Sequence, residues 1–539
     1  MTAGELDPGA RRGLVLSGVM AAVFLAAMES TVVATAMPTV IASLGGIRIY
    51  SWTFSAFLLT STVTMPIWGR LADQVGRRPA YLAGLTLFLL GSAFAGLSGS
   101  MEQLIAFRAL QGLGAGSLIS IGMTIVGDLY GVEQRAKMQG YFSSVWGVAS
   151  LVGPLVGGLL TDRVSWRWVF YINIPFGLLA AAAIAIGLRD EGRNRPRASF
   201  DLLGMGVFAA AISTLLVGLV EIGAGESRRS TGVGLLVLSV VLLVLFVLVE
   251  RRVAEPVIPL RLFRNRTFSA SMLSIFFATF GFGALIIFLP FYFLIVEGVS
   301  YTESGYRFLP FMFGLITSSI ISGQLVSRTG RYKPYIIGGI LILIVGQLLM
   351  TNLRVGTSDV SLATWMFISG LGIGPTFAVF TIVVQNAVPF QQLGAATSDL
   401  TLFRQIGTTI GIAVAFVVFR LNLTWDLLRD QLIAAGAPAA LVPTTQPAGF
   451  DIAQLTNVSA GAGSNPLGQI PAEFLPIFER GFHSALTIAI ANSIWLGVGA
   501  AIIAVVSAFF LKEIPLRTTL GARTPAPAAQ PMQATPAAD

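Results

Sequence analysis

The chain has 539 residues, of which 55% are apolar and only 11% charged, and its formal net charge is +8 at pH 7. Soluble domains carry roughly 25% charged residues, so this composition cannot coat a surface that faces water on all sides. With no cysteine and one histidine, His483, disulfides, thiolate chemistry and His-cluster zinc sites are excluded.

The apolar residues fall in blocks of about 18 to 25, each long enough to cross about 30 Å of hydrocarbon as a helix. Barrel strands would instead show about 10 alternating residues. The expected fold class is an all-α integral membrane protein with fourteen spans: 13–37, 51–69, 80–98, 102–126, 139–161, 168–188, 202–222, 232–249, 268–296, 304–326, 335–352, 361–386, 397–420 and 483–511. The first block, from Gly13, is too long for a signal h-region and lacks a small-residue cleavage site.

These spans group into a cytoplasmic tail 1–12, a six-helix bundle 13–188, an inserted pair 202–249, a second six-helix bundle 268–511 with a long outer loop 421–482, and a disordered Pro/Ala-rich tail 512–539. With both termini in the cytoplasm, 22 of the 34 arginines and lysines fall on the cytoplasmic side, as the positive-inside rule requires. The high pI then reflects topology and lipid contact rather than a nucleic-acid surface.

An internal repeat supports two halves. The stretch GRLADQVGRRP at Gly69–Pro79 recurs as GQLVSRTGRYKP at Gly323–Pro334, each after the second span of a six-span set. Such halves are a common plan for secondary transporters, with the solute site between them. In the outer loop, Trp425, Leu428 and Leu432 share one helical face, so a short interfacial helix and a flexible loop both remain open there. Asn422 and Asn457 begin glycosylation-like triplets, which arise often by chance.

Direct ATP drive is excluded by the lysines. Lys137, Lys333 and Lys512 follow Ala136, Tyr332 and Leu511, whereas a phosphate-cradling loop needs Gly-Lys-Ser/Thr. Charges inside spans are therefore the functional candidates. Glu29, about 16 residues into span 1, either binds a proton or is permanently paired with an arginine such as Arg108 on span 4. Arg108 keeps its charge and must face protein or a wet cavity. Asp399 and Arg404 on span 13 lie about 140° apart around a helix and make poor partners for each other. Asp399 is either a second proton or substrate site or a solvated interfacial residue, and His483 either an interface residue or a proton relay. Six phenylalanines on span 9 (Phe276, Phe277, Phe280, Phe282, Phe288 and Phe291) are either lipid-facing or an aromatic drug-binding wall. Gly147, Gly153, Pro154, Gly157 and Gly158 on span 5 read as a bent, closely packed interface.

Nearly the whole chain resembles the major facilitator superfamily, and within it the fourteen-helix drug:proton antiporters of the EmrB/QacA type. GRLADQVGRRP is similar to the superfamily's loop 2–3 signature, which implies a cytoplasmic gate at Gly69, Asp73, Gly76, Arg77 and Arg78. RALQGLGAG is similar to the helix 4 signature, whose arginine, here Arg108, is implicated in proton coupling; Glu29 and Asp399, read from their places in the spans, are the other proton-coupling candidates, and Asp399 is not matched to a carboxylate of the family. GVASLVGPLVGG is similar to the antiporter signature of exporters, with Gly147, Gly153, Pro154, Gly157 and Gly158. ESTVVATAMP and WRWVFYINIPFG look like the branch's helix 1 signature and its approach to helix 6.

There are departures. Glu29 stands where the branch usually has aspartate, Ser327 where the first loop has Asp73, and Phe293-Leu294 where a glutamine often follows LPFY. The resemblance implies proton-coupled export of amphipathic compounds, with Thr31, Gln111, Tyr292 and Arg404 as substrate-cavity candidates. Export of a lipid or lipid-linked metabolite by the same fold is the rival. No enzyme activity, metal or cofactor is expected. The expected partners are membrane lipids, a small-molecule substrate and protons, with no nucleic acid. A monomer is expected, and an accessory protein stays open.

Overall fold

The computed structural model describes residues 8–515 apart from 46–48, 50–51, 131–137, 139–140, 143–144, 146–147, 150–151, 154–155, 162, 189–200, 224–225, 254–255, 257, 390–391, 440–441 and 447–473. Gly147 and Pro154 lie outside the described residues.

The described regular elements are all helical. In the first half they are α1 (Pro8–Leu44), α2 (Trp52–Val75), α3 (Arg77–Gly96), α4 (Met101–Leu129), the short α5 (Trp168–Tyr171) and α6 (Asn173–Gly187). The inserted pair is α7 (Leu202–Gly223) and α8 (Glu226–Glu250). The second half holds α9 (Arg266–Ile295), α10 (Tyr301–Arg307), α11 (Leu309–Thr329), α12 (Lys333–Met350), α13 (Asp359–Ala387), α14 (Leu393–Asn422), α15 (Trp425–Ala434) and α16 (Leu475–Phe509). Among the described residues, 11 helices are long and apolar enough to cross a membrane. Helix α2 falls outside that set and buries four hydroxyl side chains, Thr53, Ser61, Thr62 and Thr64, in protein. The apolar stretch of α7, Leu203–Leu219, is short. Much of the span expected at 139–161 lies outside the described residues.

Side-chain caps fix several helix starts. The Ser100 hydroxyl accepts from the Gln103 amide, Asn265 from Thr267 and Phe268, and Ser358 from Ser361, which supplies partners for amides that no helical carbonyl can reach.

Glycines set how the helices pack. A Cβ at Gly112 or Gly116 of α4 would strike α2 at Phe57 or Ser61, and one at Gly114 would strike α3 at Gly84 and Phe88. The second half repeats the device: Gly370 and Gly374 of α13 lie against α11 at Phe311 and Leu315, and Gly372 against α12 at Leu343. The runs GLGAG and GLGIG thus let one helix in each half press against two neighbours. The loop repeat is also structural, because Gly76 and Gly330 both take positive φ, 103° and 69°, which favours glycine.

Three apolar clusters result. One fills the first bundle and one the second. The third joins Met205, Phe208, Ile212 and Leu216 of α7 and Phe246 of α8 to Val63 of α2 and Leu402 of α14. The inserted pair therefore sits against the seam between the halves. Its helix α8 turns Val237, Val240, Val241 and Val244 outward, as a lipid-facing helix does.

Helix α15 forms where Trp425, Leu428 and Leu432 were expected to share a face. That face is covered by protein: Leu428 and Leu432 are buried, Gly481 of α16 abuts Leu432, and Ser484 donates to Gln431 at 2.7 Å. Helix α16 takes the place a membrane interface would have had.

Candidate functional site

Glu29 and Arg108 meet inside the first bundle. The Arg108 Nη1 lies 2.5 Å from the Glu29 carboxylate and 2.7 Å from Gln111 Oε1, and its Nε donates to the Thr53 carbonyl at 3.1 Å. The second Glu29 oxygen accepts from Asn173 at 2.7 Å. Asn173 and Gln111 both donate to the Ser92 hydroxyl, at 2.9 and 3.2 Å, and Ser92 donates in turn to the Phe170 carbonyl at 2.8 Å. One ion pair thus ties α1, α2, α3, α4, α5 and α6 together. Glu29, Arg108, Gln111, Asn173 and Ser92 are all 0% exposed, and the Phe57 ring covers the guanidinium at 4.3 Å. A buried pair offsets its desolvation only when its remaining donors and acceptors are also satisfied, and these side chains satisfy most of them, leaving Arg108 Nη2 and Asn173 Oδ1 without a partner.

The end of the bundle at which α1 begins carries the basic residues of the loop repeat. There Arg77 bridges Asp73 at 2.6 Å and Asp128, at the end of α4, at 3.2 Å. Gly69 faces Ser398 of α14 so closely that a Cβ would crowd its hydroxyl. This loop accordingly links α2, α3 and α4 and abuts the second half. Arg78 is half-buried beside it. In the second loop Ser327 donates to its own helix at Gln324, so the position opposite Asp73 bears no charge.

Asp399 is 1% exposed, not solvated as one reading expected. It lies on the second turn of α14, beneath the ends of α2 and α8, and its charged neighbours are Arg70 and the buried Glu250. Arg70 also donates to the Pro256 carbonyl.

Arg404 is 8% exposed. Its Nη2 donates to the Phe377 carbonyl of α13 at 3.3 Å, and its Cζ stands 4.7 Å from the Phe377 ring centroid.

Residues 19–412 match the family model described as Major Facilitator Superfamily. The chain belongs to the major facilitator superfamily. It is 37% identical over 515 residues to the multidrug transporter protein MdtP of Bacillus subtilis, covering 94% of each chain. It is 33% identical over 431 residues to multidrug resistance protein 3 of the same organism, covering 79% of this chain and 84% of that one. The crystal structure of a bacterial homologue of the human lysosomal transporter Spinster superposes with a TM-score of 0.55 at 17% identity, covering 92% of this chain and 97% of that chain. These likenesses place the chain among transporters rather than enzymes.

In this superfamily fold the four cavity candidates part company. Gln111 is spent on Arg108 within the first bundle, because its i, i+3 position on α4 stacks it beside the guanidinium. Tyr292 is 0% exposed and donates to the Arg354 carbonyl near the opposite end of the second bundle. Neither borders an open space. Thr31 donates to Met28 on its own helix, and Gly153 abuts its hydroxyl, so it marks the contact between α1 and the span carrying the glycine motif. Gly157 is buried and Gly158 half-buried in that span. Arg404 alone keeps polar capacity unused. Of the six span 9 phenylalanines, Phe282 and Phe288 are buried and the other four half-buried, and Phe276, Phe277 and Phe280 pack on one another.

Ser92, Thr53, Asn173, Asp128 and Glu250 were not anticipated. Asn173 is a lone amide in the apolar run FYINIPFG, which is the one signal that could have found it.

Proposed function

We propose that this chain is a proton-coupled antiporter that exports amphipathic or drug-like small molecules from the cytoplasm by alternating access. The observation that carries the reading is the Glu29–Arg108 pair, a titratable carboxylate and a fixed cation buried together at 2.5 Å inside the first bundle. Protonating Glu29 removes the attraction and leaves Arg108 to seek other acceptors, so loading a proton changes which helix arrangement is favoured. The names of the relatives support a drug-like cargo. The fourteen-span count, as six, two and six, accommodates α2, α7 and the partly described span at 139–161. The basic end is then cytoplasmic, with both termini there, in the cytoplasmic membrane.

A recess on the flank supports the second reading, export of a lipid or lipid-linked metabolite. It is lined by Val148, Tyr306, Leu309, Phe313, Val360 and Phe367, of which Val148, Tyr306, Phe313 and Val360 are exposed, so an acyl chain could lie there.

Inverted membrane vesicles loaded with this protein should accumulate ethidium when made acidic inside, and collapse of the pH gradient should release it. Accumulation that ignores the gradient would rule out proton coupling. For orientation, Arg261→Cys should resist a membrane-impermeant maleimide in intact cells and Asp430→Cys should react. The opposite pattern would invert the topology.

A further inference from the structure

Two arginines are buried among the described residues, and only one has a counter-charge. Arg108 is answered by Glu29. Arg404 forms no ion pair within 4.0 Å among the described residues, its one side-chain hydrogen bond is the 3.3 Å contact to the Phe377 carbonyl, and its Nε has no partner. Asp399 lies five residues earlier on the same helix and points about 140° away, toward Arg70 and Glu250. Arg404 is 11 residues into the 30-residue α14, about 17 Å along the axis and so within the span. A guanidinium cannot shed its charge at that depth, and a cation there without an anion is strongly disfavoured.

The surroundings suit an anion with an apolar body. The Phe377 ring covers one face of the guanidinium and is itself set by Phe282 edge-on at 6.2 Å. A stacked guanidinium leaves its in-plane donors free, the arrangement that grips a carboxylate, sulfonate or phosphate through two parallel bonds. The Arg404 backbone carbonyl accepts from Thr279 and Thr408, both at 3.0 Å, which fixes the stretch of α14 from which the side chain reaches.

We propose that Arg404, backed by Phe377, seats the anionic head of an amphiphile: a carboxylate, sulfonate or phosphate monoanion on an aromatic or aliphatic body. Its description as cargo rests on the export reading, whereas the seat itself does not. A dissolved solute and an anionic lipid headgroup share this chemistry.

The test is binding without transport. The purified full chain in phosphatidylcholine nanodiscs is titrated with pyrenebutyrate, its neutral analogue pyrenebutanol and its cationic trimethylammonium analogue, read by energy transfer from tryptophan to pyrene. The wild type should prefer the carboxylate. Arg404→Gln should weaken pyrenebutyrate about tenfold and leave pyrenebutanol within about twofold, and Arg404→Lys should keep part of the preference because it keeps the charge. Displacement of pyrenebutyrate by added phosphatidylglycerol in the wild type, but not in Arg404→Gln, assigns the seat to a lipid headgroup; no displacement assigns it to a solute. A wild type that binds the trimethylammonium analogue as tightly as the carboxylate overturns the proposal, as does an Arg404→Gln protein that keeps the wild-type preference. A protein that binds pyrenebutyrate through Arg404 yet accumulates neither pyrenebutyrate nor ethidium under a pH gradient would sink the export reading and leave the seat standing.

Discussion

The Glu29 carboxylate and the Arg108 guanidinium meet at 2.5 Å, and neither side chain reaches solvent. Each is therefore the other's condition for burial. Removing one partner leaves an uncompensated charge, which typically costs about 3–5 kcal/mol. Arg108→Ala should lower the thermal stability of the purified protein clearly. The double replacement Glu29→Ala with Arg108→Ala should recover part of that loss, since the remaining side chains of the network are neutral. A double variant less stable than both singles would mean the pair is not the coupling unit.

The loop between α2 and α3 works differently. Asp73 and Asp128 are 33% and 55% exposed where they meet Arg77, and such pairs contribute about 1 kcal/mol or less to stability. Their role lies in the balance between conformations, where about 1.4 kcal/mol already shifts a population tenfold. Asp73→Asn and Asp128→Asn should thus express and melt near normally but transport several-fold more slowly. Wild-type turnover in both would remove the loop from the mechanism.

A separate cluster at the opposite end predicts a pH effect. Burial raises the Glu297 carboxyl above its ordinary value of 4.5, and pairing with Arg307 offsets this only in part. The folded protein then holds a proton on Glu297 that the unfolded chain has already released, so its contribution is fully present below the unfolded value. That contribution is lost as pH rises from about 4.5 through the raised value. Glu297→Gln should flatten this part of the curve of melting temperature against pH. A wild-type difference of the opposite slope, or none between the two proteins, would contradict the assignment.

Much of the fold is legible in the sequence. Hydrocarbon thickness makes the 11 long apolar helices announce themselves as blocks, and the loop repeat marks the halves. Asp73 and Arg77 could be paired from sequence because they share one short loop, which the structure turns at Gly76. Arg108 could be named as a partner for Glu29 because two buried charges need each other, but Asn173 could not, since it lies 144 residues from Glu29 and reaches it only through the packing of α6 beside α1. Gln111 looked like a cavity residue because its type is polar, and sequence does not say which neighbour consumes an amide. Asp399 looked solvated from its place near a helix end, and the seam with α2 and α8 that buries it is a tertiary fact. The glycine runs GLGAG and GLGIG were readable, and their shared spacing is the plainest trace of the repeat that the loop comparison alone did not use.

Proton-driven export stands or falls on Glu29. In proteoliposomes with an imposed pH gradient, the wild type should concentrate ethidium against its own gradient. Glu29→Gln, which keeps the shape and the hydrogen bond to Arg108 but cannot titrate, should bind ethidium and let it equilibrate without concentrating it, and Glu29→Asp should retain substantial uphill transport. A Glu29→Gln protein that still concentrates ethidium under the same gradient would show that the coupling carboxylate lies elsewhere.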